Sequence, residues 1–205
     1  LARALDDEFR LGFDDDKINE IAFEGEKGSH GTPSGIDNTA STFGGLVWFV
    51  RDLGGGPPKF ESLRLGEAAN LTIAATGLTA STTKVVGDVR AKKESDSKWF
   101  EGLAEEYQKL VGSARKALLE FNLGRVGELM NQNHSLLQEL TVSCRELDEM
   151  VEIALDNGAL GAKMTGTGRG GNMIALSPNE RTQNQVADAL DSSGSPFVYN
   201  TTFGL

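Results

Sequence analysis

Hydrophobic positions in the second half of the chain recur every three or four residues, as they do on one face of a helix. The first such run predicts an amphipathic helix over residues 98–121, and two more helices follow over residues 126–140 and 147–157. The last of these ends at Asn157-Gly158, a pair typical of a left-handed helix C-terminus. Before them, the pattern becomes helical from Ser81 onward.

Shorter apolar runs, bounded by glycine, proline or polar residues, predict strands. They cover residues 45–51, 59–65, 71–76, 160–165, 172–176 and 197–203. A glycine- and proline-rich turn at residues 54–58 joins the first two strands. Ser177-Pro178-Asn179-Glu180 has the form of a capping box and predicts a helix that ends near residue 192. Strands followed by helices, and then a strand–helix–strand ending, indicate an α+β protein with two lobes.

The acidic composition argues against a nucleic-acid binder. The 205 residues contain 20 Lys and Arg against 30 Asp and Glu, a net charge of −10, whereas binding to nucleic-acid phosphates needs a basic face. No apolar stretch approaches the roughly 20 residues that span a bilayer, so we expect no membrane partner. One cysteine, Cys144, and two histidines leave no disulfide framework and argue against a structural zinc site, which favours a cytoplasmic protein.

Glycine accounts for 25 residues, and its densest cluster is the loop Lys163-Met-Thr-Gly-Thr-Gly-Arg-Gly-Gly-Asn172. Backbone N–H groups in such a loop can point at an anion, because glycine lets a ligand approach the chain closely. Thr165 and Thr167 offer hydroxyl donors, and Lys163 and Arg169 offer positive charge. The spacing is neither that of a Walker loop nor that of a dinucleotide fingerprint. An anion-binding loop and a turn with packing duties only both stay open at this point.

A second candidate segment covers residues 24–38. A proline between two glycines predicts a shaped turn, after which Ser34 or Asp37 begins a short helix. Glu26 and Asp37 flank this turn, so one carboxylate is able to hold a divalent cation while the other accepts a proton from a hydroxyl. The alternative is that Asp37 caps the helix, Glu26 is a solvated charge and His30 is a hydrogen-bonded turn residue.

The third candidate segment, Ala80-Ser-Thr-Thr-Lys84, precedes a helical run. Hydroxyl residues in this place usually cap the helix. Lys84 begins a basic cluster, and the N–H groups of a helix N-terminus also suit a carboxylate or a phosphate. Capping and ligand binding are therefore compatible here.

Together, the three segments resemble motifs of mevalonate kinases, in the GHMP kinase superfamily. His30-Gly-Thr-Pro-Ser-Gly-Ile-Asp37-Asn38 is similar to their substrate-side signature, and the glycine loop resembles the third conserved motif of the superfamily. Ser81-Thr-Thr83-Lys84 and Met130-Asn-Gln-Asn-His134 also match stretches of mevalonate kinases. Arg169 stands where the commoner form of the motif has glycine, and in this respect the loop is similar to that of archaeal-type members. The resemblance covers essentially the whole chain.

This resemblance implies a two-lobed GHMP kinase fold, with residues 1–78 as the remaining part of the N-terminal domain and residues 79–205 as a ferredoxin-like C-terminal domain with several helices. It implies ATP-dependent phosphorylation of the 5-hydroxyl of mevalonate, with Mg²⁺, in isoprenoid precursor synthesis. Asp37 is then the catalytic carboxylate and Glu26 the magnesium ligand. The implied substrate contacts are His30, Ser34, Gly35, Thr83 and Lys84, and the implied contacts to the ATP phosphates are Thr165, Gly166, Thr167, Gly168 and Gly170.

Two motifs of these kinases do not occur in the sequence: a lysine-containing motif near the N-terminus, and a Gly-Leu-Gly-Ser-Ser-type phosphate loop that opens a helix. Leu1-Ala-Arg-Ala-Leu5 resembles the continuation of that helix. We therefore expect the chain to correspond to the C-terminal two-thirds of such a kinase, and to turn over little substrate by itself.

Two other functions are compatible with these motifs. One is another GHMP kinase that acts on a sugar or on phosphomevalonate, and the other is a non-catalytic GHMP-like metabolite sensor. The presence of both Glu26 and Asp37 argues against a sensor, which needs no base. The expected partners are mevalonate and ATP, and the resemblance also allows a homodimer, although core packing is the simpler explanation for the apolar helix faces.

Overall fold

A computed structural model of the chain describes residues 1–30, 33–52 and 58–204. The chain divides into two compact units, one formed by Leu1–Arg64 with Gly204–Leu205 and the other by Leu65–Phe203. Both units combine helices with antiparallel strands, which confirms the predicted α+β class. None of the helices in the described part of the chain has the length and apolar character that crossing a bilayer requires.

The first unit consists of helices followed by a hairpin. Its elements are α1 (Ala2–Phe9), α2 (Asp15–His30), α3 (Ile36–Phe43), β1 (Leu46–Val50) and β2 (Lys59–Leu63). The two strands pair antiparallel, with Leu46 opposite Leu63. This confirms the helix expected at residues 1–5 and the two strands of the hairpin, whereas most of the turn predicted at residues 54–58 lies outside the described residues.

Helix α2 has no counterpart among the elements predicted from the sequence. Gly25 and Gly28 lower the helix propensity by about 1 kcal/mol each. The helix forms nevertheless because it packs against α1 and α3 and buries Ile18, which is 3% exposed. At its start, Asp14 Oδ1 accepts a hydrogen bond from the Lys17 N–H at 2.8 Å, as a capping side chain does.

The second unit is built on a four-stranded antiparallel sheet. Its elements are β3 (Ala69–Ala75), α4 (Thr82–Ser95), α5 (Ser97–Leu119), α6 (Leu123–Glu139), α7 (Arg145–Asp156), β4 (Gly161–Thr165), β5 (Asn172–Ser177), α8 (Glu180–Ser192) and β6 (Phe197–Phe203). The strand order is β4-β5-β3-β6, with helices after β3 and after β5, which is the expected ferredoxin-like arrangement. Strand β3 belongs to this sheet although it precedes residue 78, and the domain boundary at that residue stays a prediction.

The core of the second unit lies between the sheet and the helices that cover it. Helices α7 and α8 pack against the strands, and α6 packs along β4 and against α5. The largest fully buried apolar side chains are Leu147, Met164, Met173, Leu176, Leu190 and Val186. The sheet and its helices thus hold the loop between β4 and β5 on a rigid base.

The N-cap of α8 differs from the predicted capping box. Ser177 is the last residue of β5, pairs opposite Asn70 of β3 and is fully buried. Asn179 is the cap instead, because its side chain accepts a hydrogen bond from the Thr182 N–H at 2.9 Å. The prediction of Ser177 as the cap is therefore wrong: pairing with β3 keeps that residue extended within the sheet.

Candidate functional site

The first turn of α3 holds the predicted catalytic carboxylate. Gly35 is the N-cap with φ +84°, and a Cβ built on it would lie 3.4 Å from the ring of Phe23. Ser34 Oγ accepts a hydrogen bond from the Ile36 N–H at 3.3 Å. Asp37 lies one residue into the helix and is exposed. The short helix is confirmed, but Gly35 is its cap, so the capping alternative for Asp37 is wrong and its carboxylate is presented to solvent.

Two polar side chains fix this turn within the first unit. Thr39, which is fully buried, donates from Oγ1 to the Gly35 carbonyl at 2.6 Å. Asn38 is also buried, and its Nδ2 donates to Asn19 Oδ1 of α2 at 2.6 Å. The start of α3 is thereby tied to α2, the helix that carries Glu26. The backbone that bears Asp37 is thus held from both sides of the turn.

Glu26 and His30 are the other predicted residues of this unit. Glu26 is half-buried on α2, whereas the side chain of His30 lies outside the described residues. Within residues 1–30, 33–52 and 58–204, no group of three or more His, Cys, Asp or Glu is arranged to hold a metal ion. A single carboxylate still fits Mg²⁺, which in phosphoryl-transfer sites takes one or two carboxylates and completes its shell with water and phosphate oxygens.

The glycine loop of the second unit, residues 166–171, joins β4 to β5 and uses its glycines in two ways. A Cβ on Gly168 would lie 2.0 Å from the Val142 carbonyl oxygen, and one on Gly170 would lie 2.8 Å from that of Leu78. These two glycines therefore serve close packing. Gly166, in contrast, has φ +80° and nothing within 4 Å of such a Cβ, so its side of the loop is open to a ligand.

Two N–H groups of this loop are bound to the protein itself. Arg169 N donates to the Val142 carbonyl, and Gly171 N donates to the Leu78 carbonyl, both at 2.8 Å. An anion would therefore meet the first half of the loop, Gly166 to Gly168, rather than the second. Both packing and anion binding, the alternatives left open by the sequence, are compatible with this division.

Lys163 and Arg169, which the sequence offered as positive charges for an anion, both bind acceptors of the protein itself. Arg169 donates from Nε to the Thr141 carbonyl at 3.0 Å and forms an ion pair with Asp88 of α4. Lys163 donates from Nζ to the Met164 carbonyl at 2.7 Å, and burial lowers the pKa of its ammonium. Both cations are thus turned toward protein acceptors.

The N-terminus of α4 lies beside the glycine loop. Ser81 is its N-cap, and Ser81 Oγ accepts a hydrogen bond from the Lys84 N–H at 3.4 Å, which confirms the capping prediction. The hydroxyls of Thr82 and Thr167 lie 3.1 Å apart and join the helix to the loop. Thr83 and Lys84 are exposed on the same first turn. The structure therefore brings the third sequence segment next to the glycine loop.

The predicted site residues accordingly fall into two groups, one in each unit. The first unit holds Glu26, Ser34, Gly35 and Asp37, and the second holds Thr83, Lys84, Thr165, Gly166, Thr167, Gly168 and Gly170. Thr82, which contacts Thr167 of the glycine loop, was not among the site residues predicted from the sequence, although its neighbour Thr83 was.

A buried polar network near the glycine loop was also missed. His134 Nε2 lies 3.0 Å from Asp148 Oδ1, and Ser143 Oγ donates to the same oxygen at 2.5 Å. On the other side of the ring, His134 Nδ1 accepts from the Met164 N–H at 3.3 Å. Burial lowers the pKa of His134, the carboxylate of Asp148 opposes this, and the charge of Lys163 adds to it. In the sequence, His134 stood out only because it lies in a stretch that matches mevalonate kinases, and no role was predicted for it.

Comparison with known proteins agrees with this architecture. The family described as GHMP kinases C terminal matches residues 114–195. The mevalonate kinase of Pyrococcus horikoshii is 38% identical over 184 residues, which cover 87% of this chain and 52% of that protein. The chain contains a GHMP kinase C-terminal domain. Archaeal mevalonate kinases are thus among the relatives of this chain, which spans about half the length of the curated relatives it matches.

Solved structures show the same relationship. The crystal structure of L. major mevalonate kinase in complex with R-mevalonate matches this chain with a TM-score of 0.91 at 40% identity, covering 98% of this chain and 62% of that one. A Streptococcus pneumoniae phosphomevalonate kinase matches with a TM-score of 0.78 at 16% identity, which shows a shared fold alone. The fold prediction is therefore confirmed.

Proposed function

We propose that the protein to which this chain belongs transfers the γ-phosphoryl group of ATP to the 5-hydroxyl of mevalonate. The observation that carries this proposal is the exposed Asp37 on a turn fixed by Gly35 and Thr39, within the segment that resembles the substrate-side motif. The names of the relatives support the same substrate. The expected products are mevalonate 5-phosphate and ADP.

Asp37 acts as the general base in this proposal. As the hydroxyl oxygen bonds to the γ-phosphorus, the bond from that phosphorus to the β–γ bridging oxygen breaks, and the hydroxyl proton passes to the Asp37 carboxylate. Asp37 lies in the first turn of α3, where the N–H groups that no helix carbonyl accepts give the helix end a partial positive charge. A solvent-facing carboxylate on a fixed turn is placed to meet the hydroxyl group of a substrate.

Other residues bind and orient the two anionic substrates. Glu26 would hold Mg²⁺, which when bound neutralises phosphate charge. The first half of the glycine loop would face the ATP phosphates, and Thr83 with Lys84 would face mevalonate. Since the net charge of −10 opposes both substrates at long range, binding has to rest on these local groups.

A matched pair of aspartates tests the proposal in the full-length protein that contains this chain. Asp37 and Asp16 are both exposed and both second residues of a helix, α3 and α2 respectively. We expect Asp37→Asn to lower kcat by roughly 10²–10⁴-fold with Mg²⁺, ATP and mevalonate. Asp16→Asn should leave kcat unchanged, and the two variants should have similar thermal midpoints. Normal turnover by Asp37→Asn contradicts the role of the base.

A substrate panel separates the alternatives. Mevalonate, phosphomevalonate and galactose are compared by ADP release, and we expect kcat/KM to be highest with mevalonate. Preference for another acceptor indicates a different GHMP kinase, and mevalonate binding in calorimetry without ADP release indicates a sensor. The 205-residue chain alone should show little turnover; robust turnover contradicts the expectation that residues outside this chain are needed.

A further inference from the structure

Strand β4 lies at one edge of the four-stranded sheet, with β5 beside it in the order β4-β5-β3-β6. Every second N–H of an edge strand points away from the sheet, and a buried one needs another acceptor. Ala162 and Met164 are such residues, and they are 0% and 1% exposed. Their outward N–H groups are out of reach of bulk water and must be bonded by another element.

Helix α6 meets this edge backbone to backbone. A Cβ on Gly161 would lie 2.1 Å from the carbonyl oxygen of Gly127, and one on Gly127 would lie 2.3 Å from the carbonyl oxygen of Leu160. Only glycine permits this approach at both positions. The contact places the same face of α6, one and two turns further along, over the rest of β4.

Two side chains on that face replace a neighbouring strand. Asn131 Oδ1 accepts the Ala162 N–H at 2.9 Å, and His134 Nδ1 accepts the Met164 N–H at 3.3 Å. Residues 127, 131 and 134 are spaced by four and three, as a single helix face requires. The outward N–H groups of Ala162 and Met164 are thereby satisfied without a further strand.

Asp148 determines which nitrogen of His134 is the acceptor. Because Nδ1 receives the Met164 N–H, the ring proton lies on Nε2 and is donated to Asp148 Oδ1 at 3.0 Å. Ser143 Oγ holds the same carboxylate oxygen at 2.5 Å. A histidine with the other tautomer would present an N–H to the N–H of Met164 and lose the bond.

The same network reaches the glycine loop from two directions. Met164 is two residues before Gly166, and the Val142 carbonyl, next to Ser143 in the chain, accepts the Arg169 N–H at 2.8 Å. We propose that Asn131 and His134 are positioning residues that fix β4 and, through it, the first half of the glycine loop for the ATP phosphates. This assignment rests on the proposed function for the identity of the ligand.

The experiment compares His134→Leu, His134→Asn and a control on the same helix, Asn133→Leu, in the full-length protein. Asn at 134 retains an acceptor near the place of Nδ1, whereas Leu removes it. Asn133 is equally buried, at 7% against 5% for His134, and its Nδ2 has no hydrogen-bond partner among the described residues. The control therefore reports general destabilisation of α6.

For His134→Leu we expect about a tenfold increase in the KM for ATP, a KM for mevalonate within twofold of the parent value, and faster amide exchange over residues 161–171. His134→Asn should have a KM for ATP and an amide exchange rate close to those of the parent protein. Asn133→Leu should change neither quantity. Equal effects of Asn133→Leu, or unchanged exchange in His134→Leu, overturn the proposal. Amide exchange decides the matter even in a protein without mevalonate kinase activity, so failure of the proposed function is distinguishable from failure of this inference.

Discussion

The carbonyl oxygen of Val142 occupies the place where any other residue at position 168 would carry its side chain. A Cβ on Gly168 would lie 2.0 Å from that oxygen, and the same oxygen accepts the Arg169 N–H at 2.8 Å. Gly168 also has φ +87°, a conformation that costs other residues about 1–2 kcal/mol. The glycine loop is therefore locked to the connection between α6 and α7.

Alanine substitutions separate the two kinds of glycine in the loop. Gly168→Ala should lower the free energy of unfolding by at least about 3 kcal/mol, because a backbone clash is added to the left-handed strain. Gly166→Ala should lower it by only about 1–2 kcal/mol, since Gly166 has φ +80° but open space around its Cβ position. Urea unfolding of both variants measures the difference. Equal losses would mean that the Val142 carbonyl moves away at little cost.

Arg169 is the second position at which strain and contacts can be separated. Arg169→Ala loses the ion pair with Asp88 and the bond to the Thr141 carbonyl but keeps φ near +52°, so we expect a loss of about 1–2 kcal/mol. Arg169→Gly loses the same contacts and relieves the left-handed strain, which should leave the free energy of unfolding within about 1 kcal/mol of the parent. Chemical unfolding tests the order of the two variants, and a glycine variant less stable than the alanine variant contradicts this account.

The stability of the protein should fall on mild acidification because of His134. Burial lowers the pKa of His134 in the folded state, while the unfolded side chain titrates near 6.5. Its contribution is therefore complete above about pH 6.5 and declines as the pH falls from there toward the folded-state pKa, because the unfolded state binds the proton first. Thermal midpoints between pH 7.5 and 5.5 measure this decline.

His134→Asn is the control for that measurement, because both proteins carry the same acidic surface and its contribution cancels in the difference between them. The variant should show a shallower decline over the same pH range. Parallel curves for the parent and the variant would show that other groups cause the acid sensitivity.

The start of α8 provides a third pair of matched variants. Asn179→Ala removes the side-chain cap on Thr182 and should cost about 1 kcal/mol. Ser177→Ala should be neutral or slightly stabilising, since Ser177 Oγ is buried and has no hydrogen-bond partner among the residues described. Thermal unfolding distinguishes them, and a larger loss for Ser177→Ala would support the capping box that the sequence predicted.

The features that follow local rules were predictable from the sequence. The helices α5 to α7 carry regular apolar faces, and the short strands are bounded by turn residues. The glycine loop stood out by composition alone. The short helix that carries Asp37 was predictable as well, although its N-cap is Gly35 rather than Ser34 or Asp37.

The features that depend on tertiary packing were not predictable. Helix α2 contains two glycines, which lower its helix propensity, and it packs against α1 and α3. Thr82 and Thr167 meet across 85 positions of sequence, and His134 meets Met164 across 30, distances over which no periodicity carries information. The same applies to Arg169, which the sequence offered as a possible charge for an anion and which the fold pairs with Asp88.

The strand order of the second unit also has a consequence for the order of events during synthesis. Strand β3 lies between β5 and β6 in the sheet. It is the first of the four strands to be synthesised, whereas its two neighbours are the third and the fourth. Thr72 of β3 bonds to Asn200 of β6, 128 positions later. Such non-local pairing folds slowly and leaves an apolar strand with two bare edges in the meantime. The nascent chain must therefore keep β3 from foreign strands until β6 has been made, while the helices in between form from local contacts.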